Sequence, residues 1–362
     1  MSLTLRSLTA TPVVVPMARP LWTSVQAMRE APLLLVDLHT EEGVLGHAYL
    51  FCYLRAAASA IAAFVEDLDT RLRGRPVVPA SLRKAVADYS RLIGQRGVVS
   101  MAGAALDMAA WDALAKAADL PLVRLLGAEP RPLLAYNSNG LGLVEPQAAA
   151  DEATELLGGG FKGVKMRLGR TSAKADLAAV RAVRQALPDD VALMVDFNQA
   201  LTPREAETRC GMLDGEGVYW IEEPLRHDDY AGYARLRQVS STPLQFGENF
   251  AGPKAMATAL AAGCVDYVMP DAERIGGVSG WMDAAALAAA HEIEMSSHLF
   301  PELTAHLLAA TPTAHWLEYV DWAEPLLEAP LPIRNGLVMP SEAAGSGLAW
   351  NKDAVERFRI DL

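Results

Sequence analysis

Three acidic residues, each at the end of a strand-like segment, constrain the fold of this chain more than any other feature. Asp196, Glu222 and Glu248 follow β-branched or aromatic runs, and helix-like segments separate them. The acids therefore recur once per strand-plus-helix repeat, at a spacing close to the roughly 30 residues of one unit in a (β/α)8 barrel. Because parallel strands place their C-terminal ends on one face, the three carboxylates are expected to converge there. Hard oxygen ligands of this kind suit Mg²⁺.

The same alternation of strands and helices extends over the second half of the chain. It predicts strands at 133–138, 163–169, 191–198, 218–223, 244–249, 266–270, 294–299 and 315–319. Eight strands that alternate with helices throughout favour a closed α/β barrel over an open doubly wound sheet. We therefore assign residues 129–319 to a (β/α)8-type barrel domain.

The flanking segments have different patterns. Residues 3–50 contain runs typical of antiparallel strands with a long loop at 17–31, and helical periodicity follows at 57–72, 79–92 and 98–118. This order predicts an N-terminal α+β capping domain over residues 1–128. The C-terminal segment, residues 320–362, carries the hairpin signal Arg334-Asn335-Gly336 and a short helix at 352–358. We expect it to fold back on the cap and complete it.

The composition limits the classes of partner and compartment. A formal net charge of −12 argues against nucleic acid and anionic membranes, because both need clustered Lys and Arg. The most apolar run, at 284–290, is far shorter than the ~20 residues that a membrane span needs. Cys52, Cys210 and Cys264 are odd in number and widely spaced, which is typical of buried thiols in a reducing cytosol. We expect a cytoplasmic protein.

Further polar residues stand at other predicted strand ends, where active sites of this architecture form. One strand carries Lys165 and Arg167 on the same face, and another ends in Glu318. Asp271 and His298 end adjacent strands, so the carboxylate can hold one imidazole nitrogen while the other faces the barrel lumen. This arrangement fixes the tautomer and suits a general base, although a lone histidine is more often a core residue.

Taken together, the motifs resemble those of the enolase superfamily, mandelate racemase subgroup, over nearly the whole chain. The matching segments are MAAWD at 108–112, VDFNQ at 195–199, WIEEP at 220–224, GEN at 247–249, MSSHLF at 295–300 and AHLLAATPTAHWLE at 305–318.

The resemblance implies a fold, a cofactor and a role for each site residue. The fold is the modified TIM barrel with a capping domain, and members form symmetric homo-oligomers, often octamers. Mg²⁺ would be held by Asp196, Glu222 and Glu248, and the substrate would be a small-molecule carboxylate. By the same resemblance, Lys165 and Ser138 would contact the substrate carboxylate, and Glu318 would be a neutral acid beside it. His298 with Asp271 would be a base. Asn198 and Arg274 match polar positions of the site, and Arg274 stands where a lysine is expected.

The implied chemistry is removal of the α-proton of a 2-hydroxycarboxylate through a metal-stabilised enediolate. The α-proton of such an acid is far less acidic than an imidazolium, and a difference of ten pKa units would cost about 14 kcal/mol. The strength of the base cannot offset this cost, but fixed positive charge beside the developing anion can. The chain departs from the pattern at Arg167, which stands where the second catalytic lysine is expected. Freeing an arginine base at neutral pH costs roughly 8 kcal/mol. Arg167 could instead clamp a carboxylate, donate a proton, act as a base in a very unusual environment, or pair with the metal carboxylates.

The region that shapes the substrate pocket in this subgroup is mostly apolar here, at Leu21, Val25, Met28, Phe51 and Tyr53. Each unpaired hydroxyl against such a wall would cost about 1 to 3 kcal/mol, so an apolar or aromatic substituent is favoured. Simple packing of cap against barrel explains these residues equally well. The leading prediction is a racemase or epimerase, with an acid-sugar dehydratase that uses His298 as its single base as the alternative. A non-catalytic binding or scaffold protein is the alternative of another class.

Overall fold

The computed structural model describes residues 2–361, beginning with an antiparallel meander. Its strands are β1 (Leu5–Trp22), β2 (Ala27–Thr40) and β3 (Leu45–Phe51). The helices α1 (Arg55–Leu72), α2 (Pro79–Tyr89), α3 (Val98–Ala117) and α4 (Leu122–Leu125) follow. Helix α3 packs so closely on β3 that a Cβ at Gly46 would lie 2.0 Å from the carbonyl oxygen of Ala109. The predicted α+β cap is confirmed.

The predicted long loop at residues 17–31 is wrong. Strands β1 and β2 continue through it as a two-stranded ribbon, and only residues 23–26 connect them. The Thr23 hydroxyl accepts from the backbone N–H groups of Val25 and Gln26, each at 3.1 Å, so a side chain closes this turn. The ribbon reaches the barrel, because the Leu143 N–H donates to the Trp22 carbonyl at 2.8 Å.

Eight parallel strands form the barrel, as predicted. They are β4 (Leu133–Asn137), β5 (Gly163–Arg167), β6 (Ala192–Asp196), β7 (Val218–Glu222), β8 (Leu244–Phe246), β9 (Tyr267–Val268), β10 (Glu294–Met295) and β11 (Leu317–Tyr319). Each pairs with the next from β4 to β10, and β11 pairs with β4. The His315 N–H donates to the Met295 carbonyl at 2.9 Å between β10 and β11, which closes the ring.

The helices between the strands are short. They are α5 (Pro146–Glu155), α6 (Ala173–Ala186), α7 (Pro203–Leu213), α8 (Tyr230–Val239), α9 (Pro253–Ala261), α10 (Ala272–Ile275), α11 (Gly277–Ala290) and α12 (Pro301–Ala309). Several begin with a clear N-terminal signal, such as the capping box that Thr202 and Glu205 form at the start of α7.

Two layers of side chains fill the barrel lumen. Met194 and Trp220 stand two residues before Asp196 and Glu222, so they share the lumenal face with the acids but lie one layer deeper. Tyr136 and Trp316 join them in one buried cluster, and the rings of Tyr136 and Trp220 are 5.5 Å apart in edge-to-face contact. This aromatic floor closes the lumen beneath the polar layer.

The C-terminal segment makes the predicted hairpin and helix, β12 (Ile333–Arg334), β13 (Leu337–Val338) and α13 (Lys352–Phe358). The hairpin pairs antiparallel with β4 of the barrel, whereas the chain after it returns to the cap as expected. Trp350 donates to the Asp37 carboxylate at 2.8 Å, and the Ile360 N–H donates to the Pro12 carbonyl at 3.1 Å. The segment therefore joins both domains.

Helix α3, and not the run at 284–290, is the apolar segment of the described chain that is long enough to be compared with a membrane span. By length and composition alone it could cross a membrane, but 72% of its most apolar window is buried inside the structure. Its sides contact the cap sheet, α1 and the barrel helices α10 and α11, which is the environment of a core helix.

Candidate active site

A buried lysine stands among the acids at the C-terminal end of the barrel strands. The Lys165 ammonium nitrogen is 2.7 Å from Glu222 Oε1 and 2.7 Å from Glu318 Oε1. Asp196 Oδ2 lies 3.6 Å from the same nitrogen. All four side chains are at most 2% exposed. The structure thus brings together two of the predicted metal ligands with the predicted carboxylate contacts.

The carboxylates around Lys165 differ in their electrostatic surroundings. Burial raises the pKa of Glu222 to about 8, and the charges of Asp196 and Glu318 add to this effect while Lys165 opposes it. Burial also favours the neutral form of Glu318, but Lys165 and His298 outweigh it and lower the pKa of this acid to about 2. Glu318 has two cations beside it and Glu222 has one. These surroundings favour the carboxylate form of Glu318 in the ligand-free chain, and the neutral Glu318 that the resemblance implies stays a prediction for the chain with bound substrate.

His298 is held from both sides by carboxylates. Its Nδ1 lies 2.6 Å from Asp271 Oδ2, and its Nε2 lies 3.1 Å from Glu248 Oε2 and 4.0 Å from Glu318 Oε2. Burial disfavours the imidazolium, but the charges of Glu248 and Glu318 and the hydrogen bond to Asp271 raise the pKa of His298 well above its ordinary value. The predicted Asp271–His298 pair is present, with Nε2 directed to the lumen.

Arg167 is bound to the backbone and forms no ion pair with any acid within residues 2–361. Its guanidinium donates to the carbonyl oxygens of Ser138, Gly140 and Lys165 at 2.8, 3.1 and 3.3 Å, and to the Ser138 hydroxyl at 3.0 Å. The side chain is 4% exposed, and its Nε has no hydrogen-bond partner. Ser138 is itself fully buried. Arg167 therefore fixes the loop after β4, and the pairing with metal carboxylates does not occur.

Asn198 and Arg274 flank the acids. The Asn198 amide and its backbone N–H donate to Asp196 at 2.9 and 2.7 Å. Arg274 donates to Asn249 Oδ1 at 2.7 Å and lies 3.5 Å from Glu248 Oε1. Seven of the ten non-glycine residues with positive φ among those described stand at this end of the barrel and cap: Tyr53, Leu141, Asn198, Gln199, Glu223, Leu299 and Phe300. Such backbone strain is concentrated at functional sites.

An aromatic wall, which we define as Phe51, Tyr53 and Trp322, stands beside Arg274. The ring of Phe51 is 4.3 Å from that of Tyr53 and 4.9 Å from that of Trp322. The Arg274 guanidinium is 5.1 Å from the Tyr53 ring, which places the wall next to Glu248. Of the other predicted pocket residues, Leu21 is buried, Met28 is partly buried, and Val25 is 73% exposed at the tip of the ribbon.

The acids suit a hard divalent cation by their chemistry. No group of three or more His, Cys, Asp or Glu side chains within residues 2–361 is arranged as a closed metal site, because Glu222 faces Lys165 and Glu248 faces His298. Burial together with neighbouring carboxylates nevertheless raises the pKa values of Asp196 and Glu222. The amide oxygen of Asn198 is buried without a partner. Lys165 alone therefore does not neutralise the carboxylates of Asp196 and Glu222 or provide a donor for the Asn198 amide oxygen, and a divalent cation would fit these oxygen atoms.

Three residues that the sequence analysis did not assign belong to this region. Glu223 is 1% exposed and accepts from Asn249 at 3.0 Å, while Asn249 also donates to Glu248 at 3.0 Å. Glu273 is fully buried two residues after Asp271. The signal for each was its position within or directly after a strand-end motif. Strand alternation assigns Glu223 and Asn249 to the face opposite Glu222 and Glu248. Glu273 lies beyond its strand, in the turn of α10.

Comparison with known families accounts for both domains. Residues 6–127 match the model "Mandelate racemase / muconate lactonizing enzyme, N-terminal domain". Residues 148–354 match the model "Enolase C-terminal domain-like".

Individual relatives cover the chain almost completely. It is 30% identical to the L-talarate/galactarate dehydratase of Salmonella typhimurium, over 96% of this chain and 88% of that protein. A magnesium-bound enolase structure from alpha proteobacterium BAL199 is 45% identical with a TM-score of 0.97, covering 99% and 100% of the two chains. A Bradyrhizobium enolase structure complexed with magnesium and mandelic acid is 41% identical with a TM-score of 0.95, covering 100% and 99%. The chain therefore belongs to the mandelate racemase/muconate lactonizing enzyme family of the enolase superfamily.

Proposed function

We propose that this chain is a Mg²⁺-dependent enzyme that removes the α-proton of a 2-hydroxycarboxylate with His298 as its single base. One observation carries the choice of a single base. His298 directs Nε2 to the lumen and is oriented by Asp271 at 2.6 Å, whereas the Arg167 guanidinium is bound by three backbone carbonyls and the Ser138 hydroxyl. An arginine in that environment is stabilised as a cation and donates only.

Asp196, Glu222 and Glu248 would hold the Mg²⁺, with Asn198 beside them. This assignment rests on their convergence and on the repulsion that raises two of their pKa values, and relatives from BAL199 and Bradyrhizobium were crystallised with magnesium. Bound there, the ion supplies fixed positive charge next to the substrate carboxylate as negative charge develops on it. Glu248 Oε2 lies 3.1 Å from His298 Nε2, so the imidazole would lose this partner if Glu248 turned to hold the ion.

Lys165 and Glu318 would bind the substrate carboxylate. The two side chains face each other at 2.7 Å at the centre of the buried layer, and an incoming carboxylate can replace Glu318 as the partner of Lys165. Separated from Lys165, Glu318 would regain a proton and donate a hydrogen bond to the developing anion. Lys165 is assigned to carboxylate binding rather than to proton abstraction, because Glu222 and Glu318 overcome the effect of burial and raise its pKa, which favours the ammonium form.

A single base favours dehydration of a 2,3-dihydroxycarboxylate, the class that includes acid sugars. His298 takes the α-proton, the electron pair of that C–H bond forms the C2–C3 double bond, and the C3 hydroxyl leaves as water after it accepts the proton that His298 then carries. The enol then tautomerises to a 2-keto-3-deoxy acid. The similarity to L-talarate/galactarate dehydratase supports this reaction.

A racemase that acts on an acid with an apolar or aromatic substituent is the second candidate, and the aromatic wall favours it. Phe51, Tyr53 and Trp322 offer rings to a substituent next to Arg274. The Bradyrhizobium relative that was crystallised with mandelic acid supports this substrate class. The reaction requires proton delivery to the face opposite His298, where Arg167 is unsuited to act as a base.

Incubation with hydroxy acids and acid sugars in D₂O with Mg²⁺ tests the proposal. We expect deuterium at the α-carbon or a 2-keto-3-deoxy product, loss of both in His298→Asn, and retention of both in His291→Asn, since His291 is exposed at the end of α11. Inversion of the α-carbon would instead support the racemase. If no substrate exchanges its α-proton and calorimetry detects no Mg²⁺ binding, the non-catalytic scaffold is the better description.

A further inference from the structure

A buried glutamate connects the cap to the catalytic pair. Glu273 is 0% exposed and follows Asp271 in the single turn of α10. Its backbone N–H donates to Asp271 Oδ1 at 2.7 Å, while Asp271 Oδ2 holds His298. Its side-chain Oε2 accepts from the Phe51 N–H at 3.0 Å across the domain boundary. One residue thus contacts both the acid that orients His298 and the last residue of β3.

The hydrogen bond to Phe51 closes the end of a cap strand. Phe51 pairs with Leu33 of β2 in the sheet register, and its own N–H points to the barrel and reaches Glu273. A buried N–H without a partner costs about 1–3 kcal/mol. Loss of Glu273 would therefore favour a displacement of the end of β3 that gives the Phe51 N–H another partner, and the residues after Phe51 would be displaced with it.

The charges around Glu273 favour an uncharged side chain. Burial raises its pKa well above the ordinary value and the Asp271 charge adds to this, while Arg274 opposes it with its Nε 3.8 Å from Glu273 Oε1. Glu273 Oε1 has no hydrogen-bond partner. An amide has nearly the same size as this carboxyl and still provides an oxygen that can accept from Phe51.

The end of β3 carries two of the three rings in the aromatic wall. Phe51 is the residue that Glu273 holds, and Tyr53 follows with a positive φ of 58° and its ring over Arg274. Trp322 packs against Phe51 from the C-terminal segment. Hydrogen bonds through Glu273 and Asp271 therefore connect these rings to His298.

We propose that Glu273 is a specificity-determining positioning residue, which sets the distance between the aromatic wall and the Asp271–His298 pair. Through this distance it would select substrates whose substituent is large enough to reach the wall. This inference rests on the proposed function for the location of the substrate. Glu273 does not touch the reacting atoms, so its effect depends on the size of the substituent. A small 2-hydroxy acid that does not reach the wall should be nearly insensitive to it.

Two variants and a matched control test the proposal. Glu273→Ala removes the acceptor, whereas Glu273→Gln retains it. Glu302→Ala removes another buried glutamate that bonds the cap to the barrel, since Tyr49 donates to Glu302 at 2.7 Å. Amide hydrogen exchange at Phe51 reports the contact without any substrate. Calorimetric affinities of mandelate and lactate with Mg²⁺, and their α-proton exchange rates, report specificity.

We expect Glu273→Ala to accelerate exchange at Phe51 and to lower the preference for mandelate over lactate by about tenfold, equivalent to 1.4 kcal/mol. Glu273→Gln should restore both, and Glu302→Ala should leave the preference unchanged. An unchanged preference in Glu273→Ala overturns the inference, as does an equal change in Glu302→Ala. If the wild type binds and exchanges neither acid, the inference on specificity is overturned, whereas the proposed function fails only if no other hydroxy acid or acid sugar exchanges its α-proton.

Discussion

Lys165 and Arg167 stand two residues apart on β5, yet their side chains have different partners. Lys165 is surrounded by Glu222, Glu318 and Asp196. Arg167 binds the carbonyl oxygens of the loop after β4. The planar guanidinium can serve several carbonyls at once, which an ammonium on a flexible stem does less well. The arginine at this position therefore holds the backbone of the loop after β4. It also means that no lysine is present there to act as a second base.

Substitution of Arg167 by lysine separates these two effects. We expect Arg167→Lys to lower the free energy of unfolding by about 1–3 kcal/mol, because buried carbonyls lose partners. We also expect α-proton exchange to remain on one face, since the remaining carbonyls would hold a lysine protonated. Chemical denaturation and chiral analysis in D₂O measure these results. Arg181→Lys, in an exposed pair with Glu216, serves as the control.

A gain of racemisation by orders of magnitude in Arg167→Lys would contradict that expectation. It would mean that the natural arginine limits a second proton transfer, and that the hydrogen bonds to Ser138 and Gly140 reorganise when substrate binds.

Individual site residues were predictable where strand geometry determines them. Asp196, Glu222, Asp271 and His298 end parallel strands, and the barrel brings such ends together regardless of detailed packing. Contacts made across the domain boundary were not predictable. Glu273 accepts from a backbone group 222 positions away, and no local pattern encodes that partner. The same holds for the direction of Arg167, which depends on the path of the loop after β4.

At the scale of elements, the β1–β2 ribbon shows why residues 17–31 gave no strand signal. The ribbon has a register shift between Pro16 and Leu21, and its burial does not alternate regularly. A turn closed by the Thr23 hydroxyl also lacks the Asn-Gly or Asp-Gly signal of common hairpins. By contrast, several barrel helices begin at a side-chain cap, such as Ser172, Thr202 and Asp229, and their existence followed from the sequence.

The contact between the β1–β2 ribbon and the barrel can be tested by substitution of Gly142. A Cβ there would lie 2.7 Å from the Trp22 nitrogen and 2.8 Å from the Trp22 carbonyl oxygen. We expect Gly142→Ala to displace the ribbon tip and to speed tryptic cleavage at Arg29. Gly211→Ala, where a Cβ would meet nothing within 4 Å, should cleave like the wild type. Equal cleavage of all three proteins would show that the ribbon does not depend on this contact.

On the scale of the whole molecule, buried polar side chains connect the cap, the barrel and the C-terminal segment. Asp112 of α3 accepts from the N–H and hydroxyl of Ser346 at 2.6 and 2.7 Å, and from the His47 N–H at 2.7 Å. His306 of α12 accepts at Nδ1 from the Val123 N–H and donates from Nε2 to the Ser346 carbonyl, both at 3.2 Å. The fold class was predictable from strand count, but these connections depend on residues far apart in sequence.

The imidazole of His306 makes this connection sensitive to pH. Burial lowers its pKa from 6.5 to about 4, against the opposing effects of the Ser346 carbonyl and Asp112. The unfolded chain therefore binds a proton near pH 6.5 that the folded chain excludes until about pH 4. The free energy of unfolding is therefore unaffected by this proton above pH 6.5 and decreases as the pH falls from 6.5 to 4. The total decrease from His306 is roughly 3 kcal/mol.

Unfolding free energies at pH 8, 6.5, 5 and 4 measure this dependence. Since His315 is also buried with its pKa lowered to about 4, the wild type should lose stability through both residues. His306→Gln should lower stability at pH 8, where the Val123 and Ser346 contacts are disturbed, but should flatten the decline between pH 6.5 and 4. The exposed variant His291→Gln should follow the wild type. If His306→Gln declines as steeply as the wild type, His306 is not the group that links proton binding to the junction of cap, barrel and C-terminal segment.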